Sequence, residues 1–301
     1  MTVIVSLLFA WSTYAADFCM RFLKAPQPVK GYAIGSFLDS DGLSIDILGA
    51  RASDKKLVRI QLASQLDGNV PDMPLRDRTE THSGAVIHMN GTVREAQLTG
   101  AQKEVHLRDR GARITGARSV HLPNLLAVGS FEGSPVLITS FEYGESLRDL
   151  IDRREELDIV IFLDLARELI RLRNEKRLSH HGNLSPENIR LLQRGARVVP
   201  VMFNPASSSA TLEGVTTWTN PHYNPSSLRN SRGDAVALAL ILIESILGGV
   251  PDLEELSDFD YFADVTNEDR RNLGRLMVQV VLDPETTLER FEEALITYLR
   301  S

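Results

Sequence analysis

Two adjacent histidines, His180 and His181, are the side chains in this sequence best suited to binding a metal or moving a proton near neutral pH. A bound metal needs further ligands, and no third one is evident beside them, so loop and core packing is the plainer reading. The single cysteine, Cys19, excludes an intrachain disulfide and any cysteine-based zinc cluster. Arg108, Arg110, Arg113 and Arg118 could contact an anion or a phosphorylated residue, although a solvated helix face is the plainer reading. Arg171, Arg173, Lys176 and Arg177 gather where a helix is predicted to end, and the helix dipole favours cations there. Ser207, Ser208 and Ser209 offer hydroxyls for phosphorylation, or simply the composition of a flexible loop.

The elements that must position these residues follow from composition and periodicity. The chain has 301 residues, 33 basic and 40 acidic, a net charge of −7, and is 43% hydrophobic. That composition is globular, and it excludes low-hydrophobicity disorder and collagen-like repetition. The acidic balance argues against a general nucleic-acid binder, since phosphate needs a concentrated basic surface. Residues 1–30 form a hydrophobic segment and linker, with Pro26 and Pro28 ahead of the first strand. Its apolar run, Val3 to Ala16, would rise roughly 21 Å as a helix, short of the roughly 30 Å of a hydrocarbon core. Three readings stay open for it. It is a membrane anchor over residues 3–20 with Arg21, Lys24 and Lys30 on the cytoplasmic side, a signal peptide cleaved near Ala15, or an extension packed on the fold.

Residues 31–142 read as strand-rich: YAIGSFL, LSIDILGA and KLVRIQLA, then LLAVGSFE and PVLITSFE, with a basic helix over Gln102 to Arg118. Residues 65–100 are turn-rich, with one predicted strand at Ala85 to Met89, and read as an insertion. Residues 143–301 turn helical, from SLRDLIDRREE and DIVIFLDLARELIRLRNEKR to AVALALILIESIL, RRNLGRLMVQVVL and TLERFEEALITYL. The predicted class is α+β, with a small β-rich lobe and a larger helical lobe flanking a cleft.

The stretch His181-Gly182-Asn183-Leu184-Ser185-Pro186-Glu187-Asn188 resembles the catalytic loop of protein kinases, H-R-D-L-x-x-x-N. Around it, HLPN at His121 to Asn124 resembles the entry to the fourth kinase strand. ITSFEYGESLRDL resembles the hinge and the helix after it, and Gly233 to Pro251 resembles the helix that anchors the helical lobe. The resemblance covers residues 32 to 300 and implies a protein-kinase-like fold.

It also implies where the chemistry should sit, and there the residues depart from the family. Asn183 stands for the aspartate that accepts the substrate's proton, and a neutral amide is no base. Met202, in Met202-Phe203-Asn204, aligns with the magnesium-binding aspartate, and a thioether is a poor magnesium ligand. Gln61 aligns with the phosphate-pairing lysine, a competing alignment placing His88 there. Asp39, Asp41 and Ser44 occupy the glycine positions of the phosphate loop, where carboxylates repel phosphates. The helix glutamate that should pair with the lysine falls near Gly111, Glu104 being too early unless the helix is lengthened. The family's ion pair between an activation-segment glutamate and a late arginine aligns with Ser226 and Thr287, so both charges are absent together. Of the ion-handling residues Asn188 alone keeps its type, while the architectural His181, Phe203 and Asp234 are present. The expectation is a catalytically inactive kinase-like domain, a pseudokinase, with no cofactor and no metal, acting through an unknown protein partner. The alternative is an atypical kinase or other ATP-dependent transferase that handles metal through Asp39, Asp41 or Asn188; metal-free nucleotide binding as a switch lies between.

Overall fold

Alternating aliphatic residues at the start of the sequence produce the strands they predict: β1 (Tyr32–Ser40), β2 (Ser44–Arg51) and β3 (Leu57–Ala63). The structure is a computed structural model and describes residues 29–40, 44–63, 85–87, 93–95, 100–211, 214–218, 222–224, 230–250, 256–257 and 260–300. The hydrophobic segment over residues 3–20, Asp41, His88 and Ser226 therefore lie outside the described residues. In the 65–100 stretch the backbone forms a two-stranded ladder, β4 (Ala85–Ile87) with β5 (Val93–Glu95). Helix α1 (Gly100–Ala117) follows. Next come β6 (Leu125–Phe131) and β7 (Ser134–Ser140), which complete an antiparallel sheet in the order β1-β2-β3-β7-β6. Val58, Ile60 and Leu62 of β3 and Val136 and Ile138 of β7 are fully buried and form its core, as expected for central strands covered on the face they share.

The helical part begins after a two-residue strand, β8 (Glu145–Ser146), with α2 (Leu147–Asp152). Ser146 and Asp149 close a capping box: the Ser146 hydroxyl accepts from the Asp149 N–H and the Asp149 carboxylate accepts from the Ser146 N–H. Helix α3 (Ile159–Asn174), capped by Asp158, carries Phe162, Leu165, Leu169 and Leu172 inward. The strands β9 (Ile189–Arg194) and β10 (Arg197–Met202) then form a tight hairpin, and β8 pairs with β9. The His121 Nδ1–H donates to the Pro200 carbonyl of β10 at 2.8 Å, so the HLPN segment is tied to this hairpin.

A further hairpin, β11 (Ser207–Thr211) with β12 (Gly214–Trp218), holds Ser207, Ser208 and Ser209 in a paired strand and not in the flexible loop their composition suggests. Helix α4 (Ser231–Leu247) is apolar all round between Asp234 and Glu244, and every residue from Ala235 to Ile243 is buried. That is the pattern of a helix running through the middle of a core. Helices α5 (Glu268–Leu282) and α6 (Leu288–Arg300) supply Met277, Phe291 and Leu295 to the same core.

The chain divides into two compact units. The first comprises Met1–Thr115, Asn124–Phe141 and Ser207–Trp218, and the second Gly116–Pro123, Glu142–Ala206 and Thr219–Ser301. The basic end of α3 is structural: Arg171 pairs with Glu168 and Glu175, and Arg173 pairs with Glu289. Burial opposes the charge of Glu168, yet Arg171 and the hydroxyl of Ser119 hold its carboxyl below the usual carboxylate range. Among the described residues, no helix is long and apolar enough to cross a membrane.

Candidate functional site

The His181–Asn188 loop is built outward from α4. Asn230 caps that helix, accepting from the N–H groups of Arg232 and Gly233, which places Asp234 in its first turn. The Asp234 carboxylate is buried and accepts the backbone N–H groups of His181 and Gly182, each at 2.7 Å. These bonds fix the start of the loop. Gly182 stands where the kinase motif has arginine, and its backbone takes φ +76°, a conformation that favours glycine. A Cβ there would meet His180 Cδ2 at 2.9 Å and Ala206 Cβ at 3.0 Å, so the departure from the motif is fitted into the packing. His181 itself is fully buried, and the Ser179 hydroxyl lies 2.9 Å from His180 Nδ1, so the two histidines serve packing and loop structure.

Beyond Gly182 three asparagines close a ring of amides, side chain and backbone. The Asn183 side-chain NH2 donates to the Asn204 backbone carbonyl at 2.9 Å, the Asn188 NH2 to the Asn183 backbone carbonyl at 3.1 Å, and the Asn204 NH2 to Asn188 Oδ1 at 3.0 Å. Asn183 is buried, and its amide cannot take a proton at physiological pH. The Met202 side chain is fully buried in the helical core together with Leu184 of the loop, and Asn204, at φ +53°, is the residue whose side chain meets Asn188. Phe203 packs with Leu192 and Val201 in a small cluster, and its N–H donates to the Asn188 carbonyl. A magnesium site needs hard, preferably charged oxygen donors. Here the oxygen of Asn188 is already accepting from Asn204, and the residue facing it is an amide.

Below the ring lies a buried ionic network that sequence reading missed. Arg148 of α2 donates from Nε to Glu187 at 2.7 Å, from Nη1 to Glu244 of α4 at 2.5 Å, and from Nη2 to the Tyr223 hydroxyl at 2.7 Å. Tyr223 in turn donates to Glu244 at 2.6 Å. Burial opposes the Arg148 charge, yet Glu187, Tyr223 and Glu244 raise the guanidinium above its ordinary range. Burial, with the two carboxylates beside it, raises the Tyr223 phenol as well.

In the sheet unit, the residues that the resemblance aligns with phosphate-handling positions are engaged within the protein. Gln61 lies buried on β3, in register with Asp46 of β2 and Leu137 of β7, and its NH2 donates to Asp46 at 2.9 Å. Asp46 also pairs with Arg59. Ser44, at the degenerate loop's end, is buried and accepts from Arg110 Nη1 at 3.2 Å, while the Asp39 backbone pairs with Asp46. The expectation of a solvated arginine face therefore fails at Arg110, which is fully buried together with Lys103 and His106, although the Arg108 side chain stays 57% exposed. Lys103, His106, Leu107 and Arg110 recur at three and four along α1 and make its inward face.

Among the described residues, no glutamate occupies that inward face. Glu104 accepts instead from the Ser134 hydroxyl at 2.7 Å. At Gly111 the helix comes so close to the sheet that a Cβ would lie 2.8 Å from Leu137 Cδ2, and Leu137 is fully buried. Grafting the family's glutamate by Gly111→Glu is expected to destabilise the protein by at least about 1–3 kcal/mol, the usual cost of overpacking, with the buried carboxylate adding to it. Urea denaturation would measure this. A Gly111→Glu, Gln61→Lys double variant as stable as the parent would show that the helix is not closed to a glutamate. The late ion-pair position, Thr287, serves helix formation: its carbonyl accepts from the Phe291 N–H at the start of α6.

Sequence comparison finds no family model and no curated protein that matches this chain. Solved structures do match. Rad53 residues 1–466 in complex with AMP-PNP aligns over 88% of this chain and 65% of its own length, with TM-score 0.58 and 14% identity. The kinase domain of Mycobacterium tuberculosis PknI, in a mutant with alanine in place of a cysteine, aligns over 90% and 96% with TM-score 0.55 and 17% identity. The apo form of PpkA-294 aligns over 89% and 96% with TM-score 0.59 and 15% identity. This chain thus spans about two thirds of the Rad53 chain and nearly all of the other two. The fold is protein-kinase-like, an α+β architecture with a β-rich unit and a helical unit.

Proposed function

We propose that this chain is a catalytically inactive protein-kinase-like domain that works as a binding or allosteric module for a protein partner. The observation that carries this reading is the amide ring. Asn183 stands in the loop position where the fold's enzymes use an aspartate, and its NH2 is committed to Asn204, which in turn faces Asn188. General-base assistance in such a step is typically worth about 10²- to 10⁴-fold, and an amide supplies none of it. The polar groups that would handle phosphate in the sheet unit are spent within the protein, Gln61 on Asp46 and Arg110 on Ser44.

Incubating the full chain with radiolabelled ATP, casein or histone, and Mg²⁺ or Mn²⁺ tests the reading. The expected result is no transfer above that of the Asn183→Ala variant. Transfer that Asn183→Ala abolishes would overturn the proposal. A parallel thermal-shift titration with ATP is expected to show no metal-dependent rise in Tm, because a ligand stabilises only a state that binds it.

A further inference from the structure

Two basic runs that lie far apart in the sequence meet on the surface of the helical unit. Helices α1 and α3 are each followed by a basic residue in the left-handed conformation, Arg118 at φ +43° and Lys176 at φ +56°. Beyond Lys176 the turn is held by the Leu172 carbonyl, which accepts from the N–H groups of Arg177 and Leu178 at 2.8 and 3.2 Å, and by the buried Leu178 side chain. The end of α1 rests on this turn: a Cβ at Gly116 would lie 3.5 Å from the Arg177 carbonyl oxygen. Arg118 and Lys176 are exposed and form no ion pair among the described residues. Arg177 pairs with Glu175 at 3.0 Å, with both side chains more than a third exposed, so water and salt weaken the pair.

Ser179 sits beside this cluster. Its residue is exposed, and its hydroxyl lies 2.9 Å from His180 Nδ1. Among the described serines and threonines it alone has a basic side chain both two and three positions before it, Arg177 and Lys176. Ser53, Thr115 and Ser231 have an arginine two positions before them and no basic residue at the third. The arginine before Ser53 is held in two bonds by Asp54, Thr115 donates to the Gly111 carbonyl, and Ser231 accepts from the Leu288 N–H. Serine kinases select substrates by charge pattern, and a basic pair just before the acceptor suits an enzyme whose own carboxylates receive it.

We propose that Ser179 is a phosphorylation site for a basophilic serine kinase acting in trans, and that the phosphoserine docks on Arg118, Lys176 and Arg177. The Ser179 oxygen attacks the γ-phosphorus of magnesium-bound ATP, the bond to the ADP oxygen breaks, and the hydroxyl proton passes to the base of the acting kinase. The product carries a charge of about −1.5 to −2 near neutral pH and three acceptor oxygens, enough for about one to three charge-assisted hydrogen bonds to the cations around it. Glu175 opposes the new charge, but it is also held by Arg171, so Arg177 can turn to the phosphate without stranding that carboxylate. The result is a tether between the end of α1 and the turn that leads into the His181–Asn188 loop. None of these residues belongs to the amide ring, so the proposal stands whether or not this chain itself transfers phosphate.

The test incubates the folded full-length protein with radiolabelled ATP, Mg²⁺ and the catalytic subunit of cAMP-dependent protein kinase, and locates the phosphate by peptide mass spectrometry. Label is expected on Ser179, absent there without the added kinase and lost in Ser179→Ala. Lys176→Gln with Arg177→Gln should slow labelling of Ser179 about tenfold or more while the thermal melt stays that of the parent. Phosphorylated protein should melt about 2 °C above the unphosphorylated form. That gain should vanish in Arg118→Gln, a residue outside the sequence that the kinase reads. The proposal is overturned by label on Ser179 that appears only after heat unfolding or without the added kinase, by no label there at all, or by labelling indifferent to the Lys176 and Arg177 substitutions. A Tm that phosphorylation leaves unchanged or lowers, or a gain that Arg118→Gln keeps, overturns the docking of the phosphate.

Discussion

Arg148→Met is expected to destabilise the helical unit by about 3–5 kcal/mol, the usual cost of stranding buried partners of an ion pair. The guanidinium joins three separate parts of that unit: α2, the turn that ends the kinase-like loop at Glu187, and the far half of α4 at Glu244. Glu244 is 5% exposed, and without Arg148 it keeps only the Tyr223 hydroxyl as a neutral donor. Glu187 loses its charged partner at the same time. A triple variant, Arg148→Met with Glu187→Gln and Glu244→Gln, should recover most of the loss, because it leaves only the part-exposed Asp152, 3.9 Å from the guanidinium, without its partner. Urea titration followed by far-ultraviolet circular dichroism, which reports mainly on helices, measures both. A triple variant as unstable as the single one would mean that Arg148 contributes packing and not charge pairing. The pH dependence follows from Tyr223, whose folded-state pKa lies above its ordinary value near 10. A raised value gives stabilisation that is fully present below the unfolded pKa and is lost as pH rises through the folded one. The contribution of Tyr223 should therefore hold throughout the neutral range and be lost in strong alkali.

Most of the secondary structure was legible because the hydrophobic pattern that specifies each element is local. Helix α4 is apolar at every turn and could sit only inside a core, and the strand runs of the first unit alternate as they must. What stayed hidden depends on contacts between distant residues. The inward face of α1 has the right period, but Lys103, His106 and Arg110 are residue types that normally mark a solvated face, and their burial becomes intelligible only through contacts with other elements, such as that of Arg110 with Ser44 of β2. The strand at Ser207 to Thr211 is serine- and threonine-rich, so turn composition masked a hairpin that exists only through its pairing with Gly214 to Trp218. At the candidate site, Met202 is held in the core by its place on β10, opposite Ile189, and the chain then takes φ +53° at Asn204, whose side chain reaches Asn188, a geometry that the motif's residue types do not announce. The Arg148 network had a signal in the sequence, a glutamate within the otherwise apolar end of α4, since a buried carboxylate requires a partner.

Asp234→Ala is expected to cost about 2–6 kcal/mol, because it orphans two buried backbone N–H groups at about 1–3 kcal/mol each. The affected donors belong to His181 and Gly182, which begin the loop, and Gly182 already holds the left-handed conformation on which the path to Asn183 depends. Two further bonds converge on the same turn: the Ala206 N–H donates to the His181 carbonyl at 2.8 Å, and the Asn224 NH2 to the Gly182 carbonyl at 3.4 Å. Losing the carboxylate should therefore loosen the loop and the segment after Asn204 together. Asp234→Asn separates the two contributions. Its single carbonyl oxygen satisfies one N–H, while its NH2 confronts the other, so its stability should fall between parent and alanine variant, nearer to alanine. Hydrogen exchange supplies the local readout: amide protection at His181, Gly182 and Ala206 should drop in both variants by more than protection in α3, which makes none of these bonds. Uniform loss across the helical unit would mean that Asp234 acts through α4 as a whole. Retention of protection at His181 and Gly182 would mean that the loop holds its shape without this carboxylate, and that the amide ring is self-supporting.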